Sequence, residues 1–200
     1  MKEVQKKALV TTICMVRHGE TDWNRERKFQ GREDTELNEA GKKQASEIAA
    51  HLAGFSWDVI IASPLKRAFV TADIIRLALE ITPLLPDEAF IERDFGKSSG
   101  LTHQEQELAF PEGNVPGKES DDDLEKRVLE GLRGIMAGYG GKRVVLVTHG
   151  AVINSLLKAV SAGTIDVGET KIKNACLTII EHDGSGWHVK AYNSVEHLAE

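Results

Sequence analysis

A histidine flanked by arginine and glycine stands where an apolar run ends: Val16-Arg17-His18-Gly19-Glu20-Thr21 follows the β-branched stretch Leu9 to Val16. A second apolar run, Val144 to Val147, ends in Thr148-His149-Gly150. Ligands of open α/β sheets bind at the carboxyl ends of strands, so two strands ending in His-Gly can bring two imidazoles to one sheet edge. A neutral imidazole nitrogen can attack phosphorus and hold the group as a phosphoramidate. The other ring nitrogen must then donate to an acceptor, which fixes the tautomer. The charge of a transferring phosphoryl group lies on its equatorial oxygens, so the remaining chemistry is positioning and charge stabilisation. His18 is therefore the candidate nucleophile. Arg17 and Arg67 are candidate clamps, because the guanidinium fork meets two phosphate oxygens and stays protonated. His149 is a further donor, and Glu92, just after Phe90-Ile91, is the candidate acid for the leaving oxygen.

Each of these residues has a plainer reading on its own. A His-Gly after a strand can be structural, Arg67 a helix surface charge, and Glu92 a solvated carboxylate. Arg17, Arg25, Arg27, Lys28, Arg32, Lys66, Arg67 and Arg93 fall in three segments expected to converge, with Arg27, Arg32 and Lys66 read as solvated surface charges. Glu20, Arg25 and Arg93 carry no assigned role. His51, His103, His182, His188 and His197 read as surface or core residues. Among them only His103, beside a helix cap near the expected mouth, is placed to touch a ligand.

The elements that must position these groups alternate. Leu9 to Val16 is the first strand, followed by a long polar loop from Arg17 to Leu37. Asn38 caps a helix to about Ala53, and Asp58 to Ala62 is a second strand. Ser63-Pro64 reads as a helix start, a capping hydroxyl and then a first-turn proline, with Leu65, Ala68, Phe69, Ala72, Ile75 and Leu79 on the apolar face. Pro83 and Pro86 predict a short extended segment, Phe90-Ile91 a small edge strand, and Gly96 to Gly100 a loop. Thr102 through Glu105 has capping-box spacing, and Ser120 opens a helix whose three aspartates suit its positive end. Val144 to Val147, a helix from Ala151 to Val160, and strands at Ala175 to Ile180 and Trp187 to Tyr192 complete the chain. Strands alternating with helices imply an α/β fold, a mostly parallel sheet covered on both faces, with the closing hairpin adding one antiparallel strand. The ends of the first, second and fourth strands then share one edge.

Composition bounds the partners. The chain has 200 residues, 41% hydrophobic and 28% charged, with a net charge of −6. It reads as a single domain, residues 1–200. The acidic balance argues against nucleic acid, and the apolar runs break well short of the roughly 20 residues of a membrane helix. Lys2, Lys6 and Lys7 precede a run broken by Thr11 and Thr12, so no signal peptide is read and a cytoplasmic setting is expected. Cys14 and Cys176 lie in strand-like runs, without metal-ligand spacing, and read as core packing. A basic pocket on an acidic protein suits a small anionic metabolite, and oligomeric state is left open.

The ordered set of motifs resembles the histidine phosphatase superfamily, the phosphoglycerate-mutase-like group. It runs through Arg17-His18-Gly19-Glu20-Thr21, Asn24, Gln30-Gly31, Leu37 with Gly41 and Gln44-Ala45, and Ser63-Pro64-Leu65-Lys66-Arg67-Ala68. It continues through Glu92-Arg93-Asp94-Phe95-Gly96, Thr148-His149-Gly150, Lys173-Asn174-Ala175, and Asn193 with His197-Leu198. The resemblance implies a three-layer α/β/α sandwich. It implies that His18 is phosphorylated, that Arg17, Arg67 and His149 hold the phosphoryl group, that Glu92 donates the proton, and that Asn24 and Gln30 help bind phosphate or substrate. It implies no metal and no cofactor. Ser99 stands where relatives often carry an acid before Gly100, which bears on the pocket wall. A phosphatase, a cofactor-dependent phosphoglycerate mutase and an inactive phospho-ligand binding module are the three functional readings. The stretch from Glu92 to Ser120 lacks the longer arginine-bearing insertion usual in the mutases, which favours the phosphatase.

Overall fold

The computed structural model describes residues 9–163, 165 and 171–199. The strands are β1 (Thr11–Arg17), β2 (Val59–Ala62), β3 (Leu84–Pro86), β4 (Arg143–Thr148), β5 (Leu177–His182) and β6 (Trp187–Ser194). They form one sheet in the order β3-β2-β4-β1-β5-β6. The first four in that order run parallel, and β5 runs against both of its neighbours. The helices are α1 (Asp22–Arg25), α2 (Glu39–Leu52), α3 (Lys66–Leu79), α4 (His103–Ala109), α5 (Asp121–Tyr139) and α6 (Gly150–Val160).

The strands alternate their side chains between two cores, as the two-residue period of a strand requires. Cys14, Val16, Ile60, Ala62, Val145 and Val147 pack against Ile48 and Leu52 of α2 and Ala68, Ala72 and Ile75 of α3. Ile13, Met15, Val59, Ile61, Val144 and Leu146 pack against Leu124, Val128 and Leu132 of α5 and Val152, Ile153 and Leu156 of α6. The central strands are covered on both faces, which is why they read as continuous apolar runs. The expected three layers, mostly parallel sheet and single reversed strand are all present. No helix among the described residues is long and apolar enough to cross a membrane.

The topology makes the site. From β1 the chain passes to β2, leaving between them a slot that β4 later fills. Arg17 is in register with Thr148, and Ala62 with Val147. The next residues, His18, His149 and Ser63, therefore emerge side by side at the carboxyl edge, at a point where the order of connection reverses.

Four local expectations change. The first strand begins at Thr11, because Leu9 and Val10 are exposed. The polar loop after Arg17 holds α1, opened by a capping box between Thr21 and Asn24. Phe90-Ile91 is no strand: Glu88–Phe90 is a 3₁₀ turn capped by Asp87, and the sheet edge is β3, where Pro86 needs no ladder N–H. Ser63 does not cap α3. The cap position is Leu65, with no side-chain bond of its own, and Asp34 Oδ1 accepts the Lys66 N–H at 2.7 Å from the facing loop. The N-terminal lysines lie outside the described residues.

Candidate active site

His18 follows β1 directly and continues its ladder, its N–H donating to Thr148 O at 3.0 Å. The next turn must lie on the start of α2. A Cβ on Gly19 would stand 2.3 Å from Gly41 O, and one on Gly41 would stand 2.1 Å from Glu20 O, so both positions are held to glycine by close backbone approach. The turn is tied down further by Gly19 N–H to Thr71 Oγ1 at 3.1 Å and Glu20 N–H to Gln44 Oε1 at 2.9 Å.

The imidazole of His18 is 1% exposed, with Nδ1 2.7 Å from Gly19 O. A carbonyl only accepts, so Nδ1 carries the proton and Nε2 keeps its lone pair. Burial, then Arg67 and Arg17, hold this histidine well below its ordinary value, against a smaller opposing pull from Gly19 O. The ring is therefore neutral at neutral pH, as nucleophilic attack requires. His149 stands beside it, with ring centroids 5.1 Å apart and planes inclined at 58°. It too is held well below its ordinary value, by burial and then by Arg67.

Arg67 is fully buried. Its Nη1 donates to Glu33 O at 2.7 Å and its Nη2 to Gly31 O at 2.8 Å, clamping the loop that leads from α1 to α2. Burial pulls the guanidinium down to about 10, partly offset by Glu92, and it stays charged at neutral pH. Arg17 Nη1 donates to Ile172 O, and its charge too is disfavoured by burial and favoured by Glu92. Glu92 is 8% exposed, one oxygen accepting the Arg93 N–H at 2.9 Å. Arg17 Nε, Arg67 Nε and His149 Nδ1 are all buried and have no hydrogen-bond partner among the described residues.

A cavity of about 560 Å³ opens above this group, lined by Arg17, His18, Asn24, Gln30, Arg67 and Glu92. Six of the seven expected site residues thus line one space, and His149 lies fully buried against His18 beneath it. Asn24 Oδ1 also accepts from Asn174 Nδ2 at 2.9 Å, and Gln30 Oε1 accepts the Thr35 hydroxyl. Of the expected basic cluster, Arg17, Arg27, Lys28 and Arg67 reach the cavity. Arg27 stays exposed, as expected of a solvated charge, and stands at the rim of that cavity. Arg25 pairs with Asp22, Arg32 with Glu119, Lys66 with Glu36 and Arg93 with Asp121 instead.

Several contributors escaped the sequence reading. Phe29 and Phe95 line the cavity with ring centroids 4.9 Å apart, and His103, the histidine expected near the mouth, lines it too and packs edge-on to Phe29 at 4.4 Å. This aromatic wall is stiffened by paired backbone: Phe29 N–H donates to Leu101 O and Gly100 N–H to Phe29 O. Asn154 of α6 also lines the space. Cys14 and Cys176 are buried, and burial raises their thiols to about 12 and about 11, in keeping with a packing role. No group of three or more His, Cys, Asp or Glu among the described residues is arranged to hold a metal.

Residues 13–195 match the histidine phosphatase superfamily, branch 1. The chain is 40% identical to the uncharacterized phosphatase PhoE of Bacillus subtilis over 190 residues, covering 95% of this chain and 98% of that one. It is 38% identical to phosphoglycerate mutase-like protein 4 of Arabidopsis thaliana over 202 residues, covering 94% and 87%. A mycobacterial glucosyl-3-phosphoglycerate phosphatase, solved with VO3, superposes with a TM-score of 0.83 at 26% identity, covering 92% of this chain and 99% of that one. Sequence, fold and the paired histidines agree: the chain belongs to the histidine phosphatase superfamily, branch 1, and is a hydrolase acting on phosphate esters.

Proposed function

We propose that the protein hydrolyses small phosphomonoesters through a phosphohistidine on His18, without a metal. His18 Nε2 attacks phosphorus as the bond to the ester oxygen breaks, and Glu92 in its acid form gives that oxygen its proton. The alcohol leaves. Water then attacks phosphorus, Glu92 takes back a proton, the N–P bond breaks, and phosphate departs with His18 neutral again. Arg17, Arg67 and His149 hold the equatorial oxygens throughout, where charge is concentrated. Asn24 and Gln30 line the approach to the phosphoryl group.

One observation carries this reading: three buried nitrogens, of Arg17, Arg67 and His149, have no partner among the described residues, and they belong to the side chains grouped about a neutral imidazole whose Nδ1 is tied to Gly19 O. Buried polar atoms without partners are uncommon and call for an explanation, and an oxyanion supplies one for all three. The mycobacterial relative's VO3 is consistent with it, since vanadate mimics phosphate. Hydrolysis is favoured over mutase chemistry because Arg93 is the only arginine between Glu92 and Ser120, and its guanidinium is engaged by Asp121. No other cationic fork is available from that segment to retain a phosphoglycerate.

The test is a panel of phosphorylated metabolites assayed for phosphate release. Interconversion of 2- and 3-phosphoglycerate is followed in parallel, with and without bisphosphoglycerate. Turnover is expected on several phosphomonoesters, and interconversion is not. Quenching mid-turnover with labelled substrate is expected to leave acid-labile label on His18, and His18→Ala is expected to lose turnover while keeping the fold. Label on another residue, or full activity in His18→Ala, refutes the reading.

A further inference from the structure

Ser63 is fully buried and sits where a helix cap is expected, yet Asp34 does the capping and the serine hydroxyl is released to another partner. That partner is His149: Oγ and Nε2 are 2.7 Å apart. The same Oγ accepts the Leu65 N–H at 3.4 Å. We infer that Ser63 is a positioning residue that donates its proton to His149 Nε2, fixing His149 as the Nδ1–H tautomer so that Nδ1–H points a hydrogen bond at the transferring phosphoryl group.

A hydroxyl has one proton and two acceptor positions. Among the described residues, Leu65 N–H supplies a donor to Ser63, and the His149 ring is the acceptor within reach of its proton. If Nε2 carried the proton instead, Ser63 would face two donors and its own proton would have no acceptor. Nδ1 would then be a bare lone pair, buried and unpaired, turned toward an anion. The inferred arrangement satisfies the hydroxyl and leaves one unpaired donor, Nδ1–H, which a phosphoryl oxygen satisfies. A doubly protonated ring is opposed by burial and by Arg67, His18 and Arg17 around it.

The two imidazoles are then wired in opposite senses. His18 is held through Nδ1 by Gly19 O and offers Nε2 as a lone pair. His149 is held through Nε2 by Ser63 and offers Nδ1 as a proton donor. Ser63 thereby keeps the second histidine from acting as a competing nucleophile, although both rings are neutral, buried and 5.1 Å apart.

The role given to Nδ1–H rests on the phosphotransfer reading, but the tautomer is measurable without substrate, so the two can fail separately. In wild-type protein labelled with ¹⁵N at histidine, His149 is expected to show a pyrrole-like Nδ1 and a pyridine-like Nε2. The reverse pattern overturns the inference whatever the activity, and stands as the decisive result if a Ser63 variant does not fold. Ser63→Ala is expected to mix the tautomers and lower kcat about 10- to 100-fold, the scale of losing a group that orients an imidazole, with little change in KM. Ser63→Thr, which keeps the hydroxyl, is expected to restore both. Replacing His149 by asparagine, whose amide nitrogen falls near Nδ1, should retain more turnover than replacing it by glutamine, whose amide falls near Nε2. A folded Ser63→Ala with unaltered tautomer and kcat overturns the assignment.

Discussion

Arg67 has two tasks that a lysine cannot share. Both of its Nη atoms are spent on backbone carbonyls of the loop at Gly31 and Glu33, while Nε is buried with no partner among the described residues. The planar fork allows the loop to be clamped and a charge to be presented from one side chain; an ammonium on a flexible stem offers no such geometry. Arg67→Lys is therefore expected to lower kcat/KM by about 100-fold or more, the scale of removing one aimed donor from an anionic transition state, and to weaken inhibition by inorganic phosphate; steady-state kinetics with phosphate as product inhibitor checks both. Glu92 has a different signature. If it delivers the proton to the leaving oxygen, Glu92→Gln should slow alkyl phosphates far more than p-nitrophenyl phosphate, whose leaving oxygen needs no proton. Water attack on the phosphohistidine is common to both substrates and also uses Glu92, so the comparison is made in a single turnover, where an equal loss on both would make Glu92 a merely electrostatic neighbour of Arg17 and Arg67.

At the scale of elements, the decisive contact is the one between the turn after β1 and the first turn of α2. Replacing a helix-interior glycine by alanine ordinarily favours the helix by up to about 1 kcal/mol. At Gly41 the sign reverses, because the added Cβ meets Glu20 backbone, which cannot move without dragging Gly19 and the carbonyl that orients His18. Gly41→Ala is expected to lower Tm and kcat together, and a stabilised, fully active variant in a thermal melt would show that the turn is free to move. This distinguishes what the sequence makes legible. Two apolar runs ending in His-Gly declare themselves locally, since burial on both faces writes an unbroken β-branched run and the strand's end is where the run stops. Ser63 looked like a cap because cap chemistry is also local; what overrides it, Asp34 reaching in from a loop some 30 residues earlier, depends on a fold already formed. His103 was legible beside its cap, but the wall that Phe29 and Phe95 build with it was not, being joined only when residues 28–29 pair with residues 100–102. Phe90 misled by composition: an apolar pair reads as a strand, but it is the buried anchor of a 3₁₀ turn that delivers Glu92.

At the scale of the whole molecule, an acidic protein keeps two neutral histidines beside buried Arg67 and half-buried Arg17, and this arrangement has a cost that pH exposes. In the folded state His18 and His149 are both held well below their ordinary value, burial being the largest cause. In the unfolded chain each titrates near about 6.5. Below that pH the unfolded state binds protons that the folded state refuses, so stability must fall as pH drops, by up to about 1.4 kcal/mol per pH unit for each histidine. Half-buried His197 is lowered as well and adds in the same direction. The carboxylates that the fold favours, Glu119 and Asp121 among them, are lowered from values near 4 and lose their contribution only further into acid. The interval between about pH 6.5 and pH 4.5 therefore belongs to the histidines. Urea unfolding across it should show a steady loss of stability in wild-type protein and a shallower slope, by about one proton, in His149→Asn. If phosphate occupies the proposed site in the folded state alone, then at about 100 times its Kd it should restore about 2.7 kcal/mol. A profile flat across that interval would mean that the two imidazoles take up protons as readily in the folded protein as in the unfolded chain, so that burial beside Arg67 and Arg17 does not hold the nucleophile neutral in mild acid.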